Sequence, residues 1–485
     1  MYFQSEIIEM FLNKRVTFWL LTIAAINLLI ISQIVQDGMF MDGMLYTSVA
    51  KNLSEGIGTF WEPRFSEAAM FSFHEQPPLY FGLLAVFYKI FGTSMYVERL
   101  FVFTFFVLTL VYICKFWKNI FIDNPEIAKH TWLPVLFYCT IPVCFWAYAN
   151  HVEEVVMCAF VLMAVYYAYV ALFLNNKVIL NLIISGIFIF LASLTKGPQG
   201  LFPLVCPAFY WVITRNISLK KAVGFSFILV GIPTLIYATL ILINHDVYTS
   251  FQQYFSNRFV KTFHNVYATT NNRFEILLRL FTELLPILSI AVVIKFFTKN
   301  KNFNRQSPKN KYKIWWLLAV GLSGSLPLAI TTEQRGFYLV TALPYFTFAI
   351  SAWLAPTLSA LLTKWNDNKI SFKVLSYSSA IILIVSVGFS FLQLGNFKRD
   401  KAVLTDIYKI GTIIPKGEIV SESHKTWCEW SIQAYFVRYF SISLDEGKER
   451  HKYFIAEKNL PKNLVPIGYQ LYPIKTNELN LYILK

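Results

Sequence analysis

Apolar runs long enough to cross a bilayer recur along most of the 485 residues, and this recurrence limits the fold more than any other feature. A helix needs about twenty apolar residues to span the hydrocarbon, where each backbone polar group must be satisfied within the protein. The first run covers residues 16–35. Others fall near 99–117, 132–149, 154–174, 178–194, 200–214, 222–243, 277–297, 314–330, 337–361 and 374–394, which makes eleven predicted spans. The ten-residue alternation of an outer-membrane barrel is absent. The expected class is an all-α polytopic membrane protein, with residues 1–394 as the membrane domain and 395–485 as a small α/β domain.

Charge sets the expected orientation. Lys and Arg number 43 against 28 Asp and Glu, a net charge of +15. The cations gather in alternate short loops, such as Lys115 to Lys129, Lys177, Arg215 to Lys221, Lys295 to Lys313 and Lys364 to Lys373. That is the positive-inside pattern of a cytoplasmic face, so the basic balance reports topology and no nucleic-acid partner is expected. Lys14 and Arg15 before the first run fit a retained signal anchor. The N-terminus is then cytoplasmic, and the segment after residue 394 lies outside a bacterial cytoplasmic (inner) membrane. The six Cys form no CxxC pair and read as small apolar side chains.

Two parts of the outer face stand apart. The connection from 37 to 98 is long, and long loops are often functional. Within it Pro77-Pro78 predicts a helix running to about Phe91, too short to span and lying in the interface. The tail reads as helix at 400–412, strand at 417–421, amphipathic helix at 426–439, and strands at 453–456 and 479–484. His424, Cys428 and His451 read as ordinary residues of that domain.

The polar groups left at the outer rim are few. Asp42 is either the cap of a following helix or a general base for an acceptor hydroxyl. Glu154, with Glu153 beside it, starts a span; it either answers the helix dipole or faces Asp42 across a cavity. His74 and Glu75 are candidate contacts to the acceptor or to a divalent metal, in a segment that Pro77 biases toward extension. Lys196, Arg258 and Arg335 lie where the positive-inside tendency would not put them. They either anchor loops at the interface or converge on a phosphate, with Arg giving bidentate contacts. Arg279 and Glu283, four residues apart within a span, read as a structural ion pair.

In chain order, DGMLY, HEQPPL with FGTSMYVERL, NHVEEVVM, LTKGPQGLFPL and RGFYLVTALPYF resemble membrane glycosyltransferases of the GT-C fold. The nearest branch is the aminoarabinose-transferase and dolichyl-phosphate-mannose protein mannosyltransferase (PMT) superfamily, and the resemblance covers roughly residues 10–350. It implies inverting transfer of a sugar from a polyprenyl-phosphate donor to a lipid, glycan or protein acceptor. It implies that Asp42 is the essential acid of the first outer loop and Glu154 the second acid. Lys196, Arg258 and Arg335 become the donor phosphate-binding cations. Glu75 matches an acid that helps bind zinc in the aminoarabinose branch, but Gln76 replaces the Lys that commonly follows it. Gly43 stands where relatives often carry Glu, and no His matches the second zinc ligand near Ser256-Asn257-Arg258. A transporter or lipid flippase is the rival class, and would place its polar groups near mid-membrane. A non-catalytic scaffold would show no cavity shared by Asp42 and Lys196.

Overall fold

The computed structural model describes residues 13–263, 268–298, 308–367, 369–446 and 449–485. Among them, nine helical runs are long and apolar enough to cross a membrane. A tenth crossing is made by Trp132–Thr140 and Pro142–Asn150, bent by 73°. Pro142 opens the second half of that pair, and the backbone N–H of Val143 donates to Glu283 Oε2 at 2.8 Å. Glu283 in turn holds Arg279 at 3.0 Å, so the expected ion pair also satisfies an orphan helix N–H.

The 37-residue run Val178–Thr214 crosses twice. Lys196, at the end of its first helix, meets the first residue of Glu154–Phe173, whereas Tyr210 packs on Phe173 at the other end of that helix. The chain reverses through the 3-10 segment Gly197–Val205. The described helices thus account for all eleven predicted spans. Glu154–Phe173 forms the axis of the bundle, with 89% of its apolar window buried. Leu219–Ile243 and Ile370–Leu392, at 11% and 22%, present theirs to lipid.

Alternate crossing divides the loops between two faces. One carries Lys118, Lys129, Lys177, Arg215, Lys220, Lys221, Lys364 and Lys369; part of the expected cluster between Lys295 and Lys313 lies outside the described residues. The opposite face carries Asp42, the small domain and the ends of the helices that meet it.

On that face, helix Met41–Ser54 leads into an irregular stretch tied back by Asn52, whose Nδ2 donates to Phe65 O at 2.6 Å. Helix Leu79–Phe91 follows, capped at Pro78 as the sequence predicts. Its 13 residues reach about 20 Å, short of the hydrocarbon thickness. Tyr80, Phe81, Leu84 and Tyr88 are buried while Val86, Ile90 and Phe91 are exposed, which suits the interface.

The tail is an α/β unit. Its sheet has strands β1 (Ile419–Glu422), β2 (Ser443–Asp445), β3 (Tyr453–Glu457), β4 (Tyr469–Leu471) and β5 (Leu479–Leu484), in the order β2-β1-β3-β5-β4. The pairs β2/β1 and β1/β3 are parallel; β3/β5 and β5/β4 are antiparallel. The sequence predicts three of these strands, since β2 and β4 are three residues each and too short to show alternation. The expected helix at 426–439 is two pieces, His424–Trp427 and Trp430–Phe440.

The second of these helices packs on Met41–Ser54. Ser48 Oγ donates to Ala434 O at 3.0 Å, and the Tyr435 hydroxyl donates to Met39 O at 3.2 Å. Arg438 reaches Glu98, on the membrane helix Met95–Ile120, at 2.5 Å, and both side chains are buried. The Tyr88 hydroxyl also donates to Glu98. A buried pair contributes little net stability when intact, but removing one partner strands the other charge. Arg438→Leu is therefore expected to destabilise the protein by about 3–5 kcal/mol. A second change, Glu98→Gln, should recover most of the loss. Thermal unfolding of the detergent-solubilised variants reads both.

Candidate active site

Asp42 sits in the first turn of Met41–Ser54, yet it does not cap it. The cap position is Phe40, and Phe40 N donates outward to Asn150 Oδ1 at 2.9 Å. Gly43 allows this approach: a Cβ there would lie 2.0 Å from the Asn150 carbonyl oxygen. The absence of a side chain at position 43 lets the helix press against the Asn150 turn and directs the Asp42 carboxylate into a cavity of about 440 Å³. Among the described residues no group hydrogen-bonds that carboxylate. Burial pushes its pKa above the usual range, against the opposing pull of Lys196, Arg335 and Arg258.

The same cavity is lined by Glu75, Lys196, Arg258 and Arg335, so five of the seven residues singled out from sequence share it with Tyr338 and Trp430. Lys196 ends its helix at Gly197, whose φ of +71° and closeness to the Tyr254 hydroxyl exclude a side chain. The ammonium lies 2.9 Å from Glu154 and 3.7 Å from Glu153, with the Tyr338 ring 5.2 Å away. Glu154 thus does not face Asp42 across the cavity. It is buried beneath Lys196 with Glu153, and outside the cavity lining. Burial also raises the Glu153 pKa, opposed by Lys196.

Arg258 bridges two acids. Its Nη2 is 2.5 Å from Glu333 Oε1 and its Nε is 3.3 Å from Glu75 Oε2, and the Tyr338 hydroxyl donates to Glu333 at 3.0 Å. Sequence reasoning missed Glu333. Its one signal was an acid two positions before a candidate cation in a short loop on the same face.

His74 is a correction. Its ring faces away from the cavity, with Nε2 3.1 Å from Glu62 and Nδ1 3.2 Å from Ser250. Both nitrogens are engaged, and the neighbouring Glu75 is held by Arg258. His74 and Glu75 therefore do not fit a shared metal ion. Among the described residues no three His, Cys, Asp or Glu side chains are placed to hold one.

Arg335 differs from the other two cations. It is exposed, and no described acid pairs with it. It also lines a second cavity of about 330 Å³, walled by Phe40, Pro142, Trp146 and Phe337. Trp146 and Phe337 stack there at 5.5 Å. A polar chamber and an aromatic one therefore meet at a single guanidinium.

Comparison with known proteins bears on the fold. A family described as dolichyl-phosphate-mannose-protein mannosyltransferase matches residues 75–242. The structure is similar to ArnT from Cupriavidus metallidurans bound to undecaprenyl phosphate, with a TM-score of 0.65 and 12% identity over 94% of this chain and 96% of that one. This is a GT-C fold. The apo state of the same ArnT gives 0.63 at 13% identity, over 94% and 95% of the two chains. The Archaeoglobus fulgidus oligosaccharyltransferase in its apo form gives 0.51 at 12%, over 89% of this chain and 61% of that one. No curated protein matches the sequence.

Within this GT-C fold, the contact at Gly43 sets where Asp42 points. Gly43→Ala must push the helix from the Asn150 turn, an overpacking that costs about 1–3 kcal/mol. The expected result is a lower unfolding midpoint, with a fall in turnover larger than the loss of folded protein accounts for. Thermal unfolding and a turnover assay on the same preparation check it.

Proposed function

We propose that the protein is an inverting membrane glycosyltransferase that moves a sugar from a polyprenyl-phosphate donor to a hydroxyl of a lipid, glycan or protein acceptor. The observation that carries this reading is Arg335, an unpaired cation where the polar chamber holding Asp42 opens to an aromatic one. The ArnT of similar fold was solved with undecaprenyl phosphate, which supports the donor class. The clustering of ionisable groups at one end of the bundle disfavours a transporter, and the cavity shared by Asp42 and Lys196 disfavours a scaffold.

In this reading Asp42 accepts the proton of the acceptor hydroxyl. The oxygen attacks the anomeric carbon as the bond to the phosphate oxygen breaks on the opposite side. The leaving polyprenyl phosphate gains a negative charge, and Arg335 meets it with Arg258 alongside. The prenyl chain extends from Arg335 into the aromatic chamber. Glu153 and Glu154 hold Lys196 against the cavity wall, and Glu75 and Glu333 hold Arg258; these acids position cations. Residues 1–394 make up the catalytic membrane domain and 395–485 the outer domain. The loops rich in Lys and Arg then face the cytoplasm, with the site and C-terminal domain outside the bacterial inner membrane.

Asp42→Asn should lower kcat by about 10²- to 10⁴-fold, the usual contribution of a general base, with little change in donor affinity. Arg335→Ala should weaken donor binding and lower kcat by about 10²-fold, as expected for loss of one donor to a developing anion. Because Asp42 acts as a base and its pKa is raised, turnover should fall as pH drops through a value above the usual Asp range. A titration with a defined prenyl-phosphate sugar, with kcat followed against pH, reads all three. Normal turnover in Asp42→Asn would sink the assignment. Orientation has its own check: a reporter fused after Lys485 should register outside the cytoplasm.

A further inference from the structure

The small domain holds a cavity of about 520 Å³ that the chemistry above does not use. It lies at the carboxyl ends of the three parallel strands: Glu422 ends β1, Glu446 follows β2 and Glu457 ends β3. Open sheets with parallel strands bind ligands at that edge, because the loops there diverge and leave a crevice.

Glu422 gives the crevice its character. It is only 2% exposed and it lines the cavity, yet neither carboxylate oxygen has a hydrogen-bond partner among the described residues. Buried carboxylates ordinarily find partners, so an unmet one in the wall of a cavity points to a missing ligand. Burial, with Asp445 and Glu446 nearby, pushes its pKa up to about 9. The other charged groups around it are accounted for. His424 is 2.8 Å from Glu446, and His451 is 3.2 Å from Asp445. Glu457 accepts from Ser423, while Lys425, Glu449 and Arg450 stand exposed at the rim. The far wall is apolar, with Phe454 and Tyr469 in ring contact at 5.4 Å and Leu464 at the mouth.

We propose that this cavity binds a small organic cation, its ammonium group seated on Glu422 and its apolar body against Phe454 and Tyr469. A cation relieves both the lost solvation of Glu422 and its repulsion from Asp445 and Glu446. A metal ion does not suit the donors, since among the described residues no three such side chains converge. An organic cation also uses the aromatic wall.

The test is calorimetric titration of the full chain with benzylamine, benzyl alcohol and magnesium chloride as probes. Benzylamine should bind saturably and benzyl alcohol should not. Its affinity should rise about tenfold per pH unit from about pH 6 to 8, because the carboxyl group must release its proton first. Glu422→Gln, which removes a buried charge, should fold at least as well, weaken benzylamine at least tenfold and flatten the pH dependence. Leu464→Trp, placed at the exposed mouth, should block binding without touching the sheet. Unchanged affinity in Glu422→Gln, equal binding of benzyl alcohol, or saturable magnesium binding with none of the amine would each overturn the proposal.

Discussion

A charge carried to the end of a membrane helix and buried there needs a counter-charge, and the pairing of Lys196 with Glu153 and Glu154 is the contact on which the site depends. An isolated buried ion is so costly that it gives up its charge or finds a partner. Here the partners come from the axial helix of the bundle, so the ion pair also fixes the Val178–Lys196 helix against that axis. Arg258 meets the same constraint through Glu333 and Glu75. Two of the three cations that line the polar cavity are thus neutralised by the protein itself. Arg335 is left at the one point where the polar and aromatic chambers join.

Asp42 is held as firmly, but from two sides. On the bundle side its helix rests on the Asn150 turn through Gly43. On the other, the small domain packs along it through Ser48, Met39 and Tyr435. The domain is itself fixed to the membrane helices by the buried Arg438–Glu98 pair. The C-terminal residues therefore do more than decorate one face of the bundle. They close the wall of the cavity, to which they lend Trp430, and they hold the helix that carries the acid.

The legible parts of the sequence were those where lipid acts as solvent. Spans and the short interfacial helix follow from length and hydropathy, since few other structures satisfy a backbone in hydrocarbon. The convergence of Asp42, Glu75, Lys196, Arg258 and Arg335 was legible because charged groups are scarce at that rim. The pairings were not. Side by side in sequence, Glu153 and Glu154 showed no sign of a common partner. Glu153, however, is the cap residue and precedes the helix, so both reach Lys196. Glu333 carried no pattern of its own, because a loop acid reveals its role only when the fold brings Arg258 to it. His74 misled for the converse reason: it sits beside Glu75 in sequence, but its ring turns to Glu62 and Ser250.

Charge balance ties the proposed chemistry to this arrangement. Five carboxyl groups, those of Asp42, Glu75, Glu153, Glu154 and Glu333, stand around three cations. Burial raises the pKa of Glu75 and Glu153, which favours proton uptake there and lessens the acid excess. A sugar phosphodiester brings one negative charge, and its prenyl phosphate product leaves with up to two. In the step proposed here, the acceptor's proton neutralises Asp42 as the leaving phosphate gains its charge. The total charge in the chamber stays the same, and it moves from the acid toward Arg335. A site at low dielectric gains from this, because the step requires no new net charge to be solvated and the receiving guanidinium is already in place. The same arithmetic explains why the cations beside Asp42 must not suppress its pKa fully: an acid held permanently ionised would be a poor acceptor for the proton on which the transfer depends.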